Sequence, residues 1–156
     1  MTAIAAADVT VAAKAGCEDI APKSHKRMGL FDVTFGDGSL TYPTGGVPLP
    51  AIGVFGFKKQ VQFGLAQQPV ANGFLYKYDP ATHKVKIYTQ GVTTGATAAT
   101  TVDANGAKVL NSAAAEVFPR LPGTAASTVY DLGGMIELPA ATTPASVVVP
   151  LFLIGE

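Results

Sequence analysis

The sequence is poor in the side chains on which disulfides, metal sites and charge-driven recognition depend. Its 156 residues include one cysteine, two histidines and no tryptophan. Because Cys17 has no second cysteine to pair with, an intrachain disulfide is excluded, and stability does not require an oxidising compartment. Charged residues make up 14% of the chain, well below the share of about a quarter in soluble domains, so we expect a surface that is poor in charge.

The few charges that are present cancel. Eleven lysines and arginines balance eleven aspartates and glutamates, which removes the long-range attraction used by proteins that bind nucleic acids or membrane surfaces. The N-terminus has no basic residue ahead of its apolar part, and the apolar C-terminus is too short to span a bilayer as a helix. We therefore expect a protein that is made in the cytoplasm, has no nucleic-acid or membrane partner, and binds other proteins.

What the sequence does contain is the pattern of a β protein. Seventeen glycines and eleven prolines interrupt the chain, and apolar residues rarely recur at helical spacing. A chain of this length can bury a core without disulfides or metals. We predict an all-β fold, with a single compact β-sandwich or β-barrel-like domain over residues 28–156. An extended N-terminal segment, 1–27, precedes it as an arm or a first strand.

Several segments show the period-two alternation of a half-buried strand, among them 28–35 and 54–65. In 28–35, Phe31, Val33 and Phe35 fall on one face, and polar residues fall on the other. Segment 54–65 is predicted to be one long strand with a single apolar face, and its glycines allow a bulge. That face consists of Phe55, Phe57, Val61, Phe63 and Leu65.

A β-hairpin is predicted over 74–88, which reads FLYKYDPATHKVKIY. Pro80 pre-sets φ for the second position of a turn, and the side chain of Asp79 can bond back to the chain. The aromatic face of the hairpin consists of Phe74, Tyr76 and Tyr78. Its lysines are expected to protect an exposed edge from aggregation.

Residues 91–123 show little hydrophobic periodicity. Residues 91–105 form a low-complexity Gly/Thr/Ala stretch that predicts a loop or a weak pair of edge strands. Residues 107–123 contain the one plausible helical turn or two, ended by prolines.

The last strand, SVVVPLFLI, is almost continuous in apolar side chains. Such a run is typical of a strand that is covered on both sides. One side is expected to face the domain core and the other a subunit contact, so we predict a homo-oligomer.

No grouping of titratable residues predicts catalysis or a metal site. His25 with Cys17 as nucleophile is conceivable, but their spacing matches no known cysteine enzyme. Asp32 and Asp37 lack the ligand pattern of a calcium loop, and Asp37 is expected to hold a turn. Both histidines lie in turn-like or basic surroundings, and neither is expected to be buried. We expect no enzymatic activity, no catalytic residue, no cofactor and no metal.

One combination of segments resembles a known class of proteins. It comprises an early VTV strand, the run KRMGLFDVTFGDGSLTYPTGGVPL, the hairpin NGFLYKYDPATHKVKIY and the apolar strand at the end of the chain. The combination resembles the capsid decoration, or cement, proteins of tailed bacteriophages and related minor head proteins. The resemblance is strongest from Lys26 to Gly91, and TYPTGGVPL is its most telling motif.

The resemblance implies a compact β domain, often a trimer, on the outside of an icosahedral shell. Its implied partners are the major capsid protein and further copies of itself, and its implied location is the exterior of the virion. Such proteins stabilise the shell by binding it, and no catalytic residues come with them. The N-terminal basic cluster supplies the candidate capsid contacts. These candidates are Lys23, His25, Lys26 and Arg27.

Two other functions stay open at the level of sequence. A head-fibre or tail structural protein that binds a host surface is the first alternative. A small hydrolase or ligand-binding β-barrel is the second, and it would require a deep pocket with a perturbed acid or base.

Overall fold

The chain folds as a sandwich of two antiparallel sheets. The computed structural model describes residues 2–21, 25–69, 73–94, 97–100, 109–110, 116–117, 130–140 and 142–156. In these ranges the strands are β1 (Thr10–Ala21), β2 (Lys26–Phe35), β3 (Val47–Pro48), β4 (Val61–Ala66), β5 (Leu75–Asp79), β6 (Lys84–Thr94), β7 (Thr97–Thr100), β8 (Val109–Leu110), β9 (Glu116–Val117), β10 (Tyr130–Glu137) and β11 (Val147–Gly155). Two short 3-10 helices are η1 (Ala6–Asp8) and η2 (Ile52–Phe55).

The first sheet has the strand order β1, β2, β11, β4, and the second is centred on β6. In the second sheet, four strands pair with β6, namely β3, β5, β7 and β10. The core between the two sheets draws on both of them, with Phe31 and Leu151 from the first and Tyr76 and Ile87 from the second. The prediction of an all-β, sandwich-like domain is therefore confirmed.

Residues 10–21 of the N-terminal segment form β1, an edge strand of the first sheet. Strand β1 pairs with β2 along its length, with Val11 opposite Val33. Further towards the N-terminus, Ile4 is buried, and its N–H donates to the carbonyl of Thr41 at 2.9 Å.

Alternation along the central strands builds the core. Phe31, Val33 and Phe35 of β2 are buried as predicted, because they share the inner face of a pleated strand. Strand β11 alternates in the same way between buried and more exposed side chains. The described residues thus bury one side of this almost wholly apolar strand, while the side chains on its other side are exposed or half-buried.

The aromatic hairpin forms as predicted and is part of the scaffold. Strands β5 and β6 pair from Leu75 opposite Tyr88 to Asp79 opposite Lys84. The Asp79 carboxylate holds the turn by accepting hydrogen bonds from the Ala81 N–H at 3.1 Å and the Thr82 hydroxyl at 3.0 Å. The aromatic side chains Phe74, Tyr76 and Tyr78 are all buried.

The free edge of β5 is capped by one glutamine side chain. The Gln68 amide accepts from the Tyr76 N–H at 2.6 Å and donates to the Tyr76 carbonyl at 2.8 Å. This amide mimics the peptide group of a neighbouring strand, which protects an edge that could otherwise pair with another chain.

The prediction of one strand over 54–65 is wrong. Its first part belongs to η2, which Gly56 ends in the left-handed conformation with φ of 79°. The following N–H groups of Lys58 and Lys59 both donate to the Glu156 carbonyl at 2.7 Å, and β4 begins only at Val61. A glycine that accepts positive φ at no steric cost breaks a strand that the apolar pattern alone would continue.

Two less regular predictions fall partly inside the described residues. In 91–105, β6 continues to Thr94, and β7 pairs with it, which matches the pair of edge strands. In 107–123, the described residues form the short paired strands β8 and β9, and the structure does not test the expected helical turn elsewhere in that segment. The rest of both segments lies outside the described residues.

Candidate interaction surface

An apolar surface covers the outer side of the first sheet. The strand register places Leu30 of β2, Phe152 of β11 and Leu65 of β4 in one row across the sheet. The next row contains Met28, Ile154 and Phe63. We call this surface the apolar face, and it consists of Met28, Leu30, Phe63, Leu65, Pro150, Phe152 and Ile154.

The side chains of the apolar face are open to solvent to different extents. Leu65 is 60% exposed, Phe63 50% and Leu30 38%, while Phe152 and Pro150 are half-buried. The two leucines therefore rise on either side of a lower strip, and a shallow groove runs between them over Phe152 and Pro150. Contiguous apolar surface of this kind marks interaction sites on folded proteins.

A β-bulge in β4 creates part of this face. Ile154 pairs with Phe63, but Gly155 pairs with Val61, so β4 has one extra residue, Gln62, at this point. An extra residue reverses the alternation, and side chains beyond it move to the opposite side of the sheet. Val61 therefore points into the core, while Phe63 and Leu65 point outward.

The same bulge explains why the sequence pattern misplaced these residues. Phe55, Phe57 and Val61 are buried, as predicted for the apolar face of segment 54–65. Phe63 and Leu65, expected beside them, lie on the outside of the sandwich.

Pro150 occupies the middle of a central strand without leaving a gap in the sheet. Its carbonyl accepts from the Gln67 N–H at 2.8 Å, on the side of β11 that faces β4. The N–H that proline lacks would point to the same side, where the pairing with β4 ends at Ala66. Pro150 thus ends the β4 ladder and adds its ring to the apolar face.

Two ion pairs lie at the border of the apolar face, and exposed charges of both signs, Glu18 and Lys26, lie near its Met28 end. Lys14 Nζ lies 2.9 Å from Asp32 Oδ1 beside the Pro150 end of the face. At the opposite end, Lys59 Nζ lies 3.5 Å from Glu156 Oε2, and the Gln62 amide donates to the same carboxylate at 3.4 Å. The border therefore presents no excess of one sign.

The predicted basic contacts have different places in the structure. Lys23 lies outside the described residues. His25 is exposed in the turn before β2, with φ of 53°, and Lys26 is exposed at the first position of β2. In the sequence, His25 and Lys26 come three and two residues before Met28, which lies at one end of the apolar face.

Arg27 differs from its neighbours because its guanidinium is engaged inside the chain. Its Nε donates to Asp19 Oδ1 at 3.0 Å, and its Nη1 donates to the Gly56 carbonyl at 3.0 Å. These bonds tie β1 and β2 to the end of η2. Two of the five N–H donors of the Arg27 guanidinium are therefore used within the chain, and the side chain is held in place.

The sequence did not predict the burial of His83. It is half-buried against Phe55, whereas its position in a turn predicted exposure. The Tyr78 hydroxyl lies 2.7 Å from His83 Nδ1, and the Pro50 carbonyl lies 2.7 Å from Nε2. Because a carbonyl only accepts, Nε2 carries the proton and the Tyr78 hydroxyl donates to Nδ1.

These surroundings shift the titration of both rings. Burial lowers the pKa of His83 below its ordinary value of 6.5, although the bond to the Pro50 carbonyl acts in the opposite direction. Burial also raises the pKa of Tyr78 to about 12. Both His83 nitrogens are used to join the hairpin turn to the segment before η2, so the residue is a structural clamp.

The carboxylates considered for calcium also have local roles. Asp37 Oδ1 accepts from the N–H groups of Leu40 and Ser39, both at 2.7 Å, which confirms its place in a turn. These two hydrogen bonds lower the pKa of Asp37. Asp32 is the partner of Lys14.

Within the described parts of the chain, no three His, Cys, Asp or Glu residues come close enough together to hold a metal ion. The side chain of Cys17, considered above with His25, lies outside the described residues. Among the helices of the described ranges, none is long and apolar enough to cross a membrane.

No protein-family model, no curated protein and no solved structure matches this chain.

Proposed function

We propose that this protein is a structural component of a tailed-bacteriophage virion. It is made in the host cytoplasm, decorates the outside of the capsid and stabilises the shell by binding major capsid subunits. The observation that carries the proposal is the apolar face, which gives a rigid β-sandwich an open surface on which further protein subunits, copies of the chain included, can pack. The resemblance of residues 26–91 to capsid decoration proteins supplies the class of partner.

The mechanism requires binding and no chemical step. A protein that binds the assembled shell, but not free subunits, shifts the equilibrium towards the shell by mass action. On a symmetric lattice, an oligomer of the chain makes several equivalent contacts at once, so modest individual affinities add to strong avidity. No catalytic residue, metal or cofactor takes part in this function.

The partners in this proposal are the major capsid protein and further copies of the chain. The resemblance implies that these copies form a trimer. Lys23, His25, Lys26 and Arg27 are the proposed capsid contacts. Of these, His25 and Lys26 are exposed beside the first sheet, whereas Arg27 also bonds to Asp19 and Gly56.

The proposal is tested with particles from which the protein has been stripped or genetically omitted. The rupture temperature of these particles is measured before and after addition of the purified protein. We expect the wild-type protein to bind and to raise the rupture temperature. The double variant His25→Ser/Lys26→Ser is expected to bind more weakly, and Lys77→Ser, an exposed lysine on the second sheet, serves as the matched control.

An unchanged rupture temperature, with no binding to capsids, contradicts the proposal. Labelling of tails or fibres in the same preparation would favour the alternative of a fibre or tail protein.

A further inference from the structure

We infer that the apolar face is the surface through which copies of this chain associate with one another. The inference rests on the proposed function, which makes the chain a homo-oligomer, and it adds the residues at which the copies meet. Its occupant is a second copy of the same chain, packed against the outer side of the first sheet.

The shape of the face suits another copy of itself. Leu30 and Leu65 are raised on either side of the groove over Phe152 and Pro150. A raised leucine of one copy can enter the groove of another, and the same face supplies both the projection and the depression. Side chains of packed sheets interdigitate in this way, and the contact can close a two-fold dimer or be repeated around the three-fold axis of a trimer.

The size of the face matches what a stable contact between identical chains requires. Its half-exposed side chains present on the order of 500 Å² of accessible surface. An interface of standard size buries about 800 Å² per partner, and about 65% of a homodimer interface is apolar. Each partner in such an interface therefore buries on the order of 500 Å² of apolar surface, which is about the area of the apolar face.

The charges around the face also favour a copy over a charged partner. Lys14 and Lys59 are paired with Asp32 and Glu156, so the border offers little net charge to complement an acidic or basic surface. The whole chain has eleven basic and eleven acidic residues, and two copies therefore approach without net repulsion.

Leu65 gives the sharpest test because it is the most exposed side chain of the face. A glutamate in its place lies in solvent in the monomer and does not touch the core. In the oligomer the same carboxylate is desolvated against apolar side chains, which is costly for an unpaired charge. We expect Leu65→Glu to raise the dissociation constant for self-association about 30-fold or more, as for the loss of a central contact residue.

The experiment measures the mass of the full-length protein across a concentration series by sedimentation velocity and light scattering. Wild type is expected to be oligomeric and Leu65→Glu monomeric, with unchanged far-ultraviolet circular dichroism. The matched control is Leu75→Glu, an exposed leucine that is 45% open on the second sheet and is expected to remain oligomeric. Leu30→Gln, on a different strand of the face, is expected to weaken association and replaces Leu65→Glu if that variant does not fold.

A wild-type protein that stays monomeric over the whole series overturns the inference. So does an oligomer that Leu65→Glu and Leu30→Gln leave intact, or one that only Leu75→Glu dissociates. A dimer or a trimer that the face variants dissociate supports it.

No capsid is present in this measurement, so its outcome is separate from that of the proposed function. An oligomer that dissociates as expected but fails to bind capsids would leave the face assigned and the capsid role refuted.

Discussion

Replacing Gly64 by alanine tests the packing between the two sheets at the point where β4 crosses the hairpin. A Cβ atom at Gly64 would lie 2.8 Å from Leu153 Cδ2 and 2.8 Å from Tyr78 Cε1, and closer still to another atom of the tyrosine ring. Tyr78 cannot easily give way, because it is buried and its hydroxyl is bonded to His83. The added methyl group must therefore displace the backbone of β4 or the ring.

The expected cost follows from these contacts. Overpacking a filled core destabilises a protein by about 1–3 kcal/mol. Replacing glycine by alanine also stabilises the folded state by about 0.4–1 kcal/mol, because alanine lowers the conformational entropy of the unfolded chain. We expect a net loss of about 1–2 kcal/mol in the free energy of unfolding. For a domain of this size, that loss lowers Tm by about 2–8 °C.

The assay is thermal and urea unfolding of the variant beside a matched control. Gly53→Ala is that control, because no atom of the described residues lies within 4 Å of a Cβ there, and we expect little change. The cost of Gly64→Ala should also shrink in a Tyr78→Leu background, which a double-mutant cycle measures. Equal stability of Gly64→Ala and Gly53→Ala would refute the packing described for β4 and the hairpin.

Two further predictions concern buried polar side chains. Burial lowers the pKa of His83 below 6.5, so the unfolded chain takes up a proton before the folded one, and stability should fall as pH drops below 6.5 towards the folded pKa. Thermal unfolding between pH 7.5 and 5 should show this loss in the wild type and a smaller one in His83→Gln, and identical slopes would contradict it. The Tyr42 hydroxyl accepts from the Ile87 N–H at 3.3 Å, so Tyr42→Phe leaves that buried N–H unpaired. We expect a loss of about 1–3 kcal/mol in urea unfolding, and unchanged stability would show that this bond contributes nothing.

Period-two alternation predicted the parts of the fold in which neighbouring residues decide the structure. In β2, Phe31, Val33 and Phe35 are buried as expected. In the hairpin, Asp79 holds the predicted turn. Such features depend on side chains a few residues apart, so a single sequence displays them.

Other features depend on contacts between distant residues, and the sequence did not display them. His83 is half-buried because the Pro50 carbonyl, 33 positions away, accepts its Nε2 proton. Glycines in segment 54–65 allowed a bulge, but the apolar pattern did not predict that Gly56 ends a 3-10 helix or that the bulge falls at Gln62, where β4 pairs with β11.

The candidate surface was therefore predicted in part. The apolar run of β11 indicated a strand with a second side available for contact, and the structure places Phe152 and Ile154 there. Phe63 and Leu65 were assigned to the same face as Val61, because the pattern does not show where the bulge that turns them outward lies. They are nevertheless the part of the apolar face most open to solvent.

The position of this chain in an electron-microscopy map of the virion tests the proposed function most directly. We expect density for the two-sheet sandwich on the outer surface of the shell, in contact with major capsid subunits and repeated with the symmetry of the lattice. Its absence from particles that lack the protein, and its return after addition of purified protein, would assign that density to this chain. Density for the sandwich on tails or fibres, or a shell whose outer surface is the same with and without the protein, would contradict the proposed role.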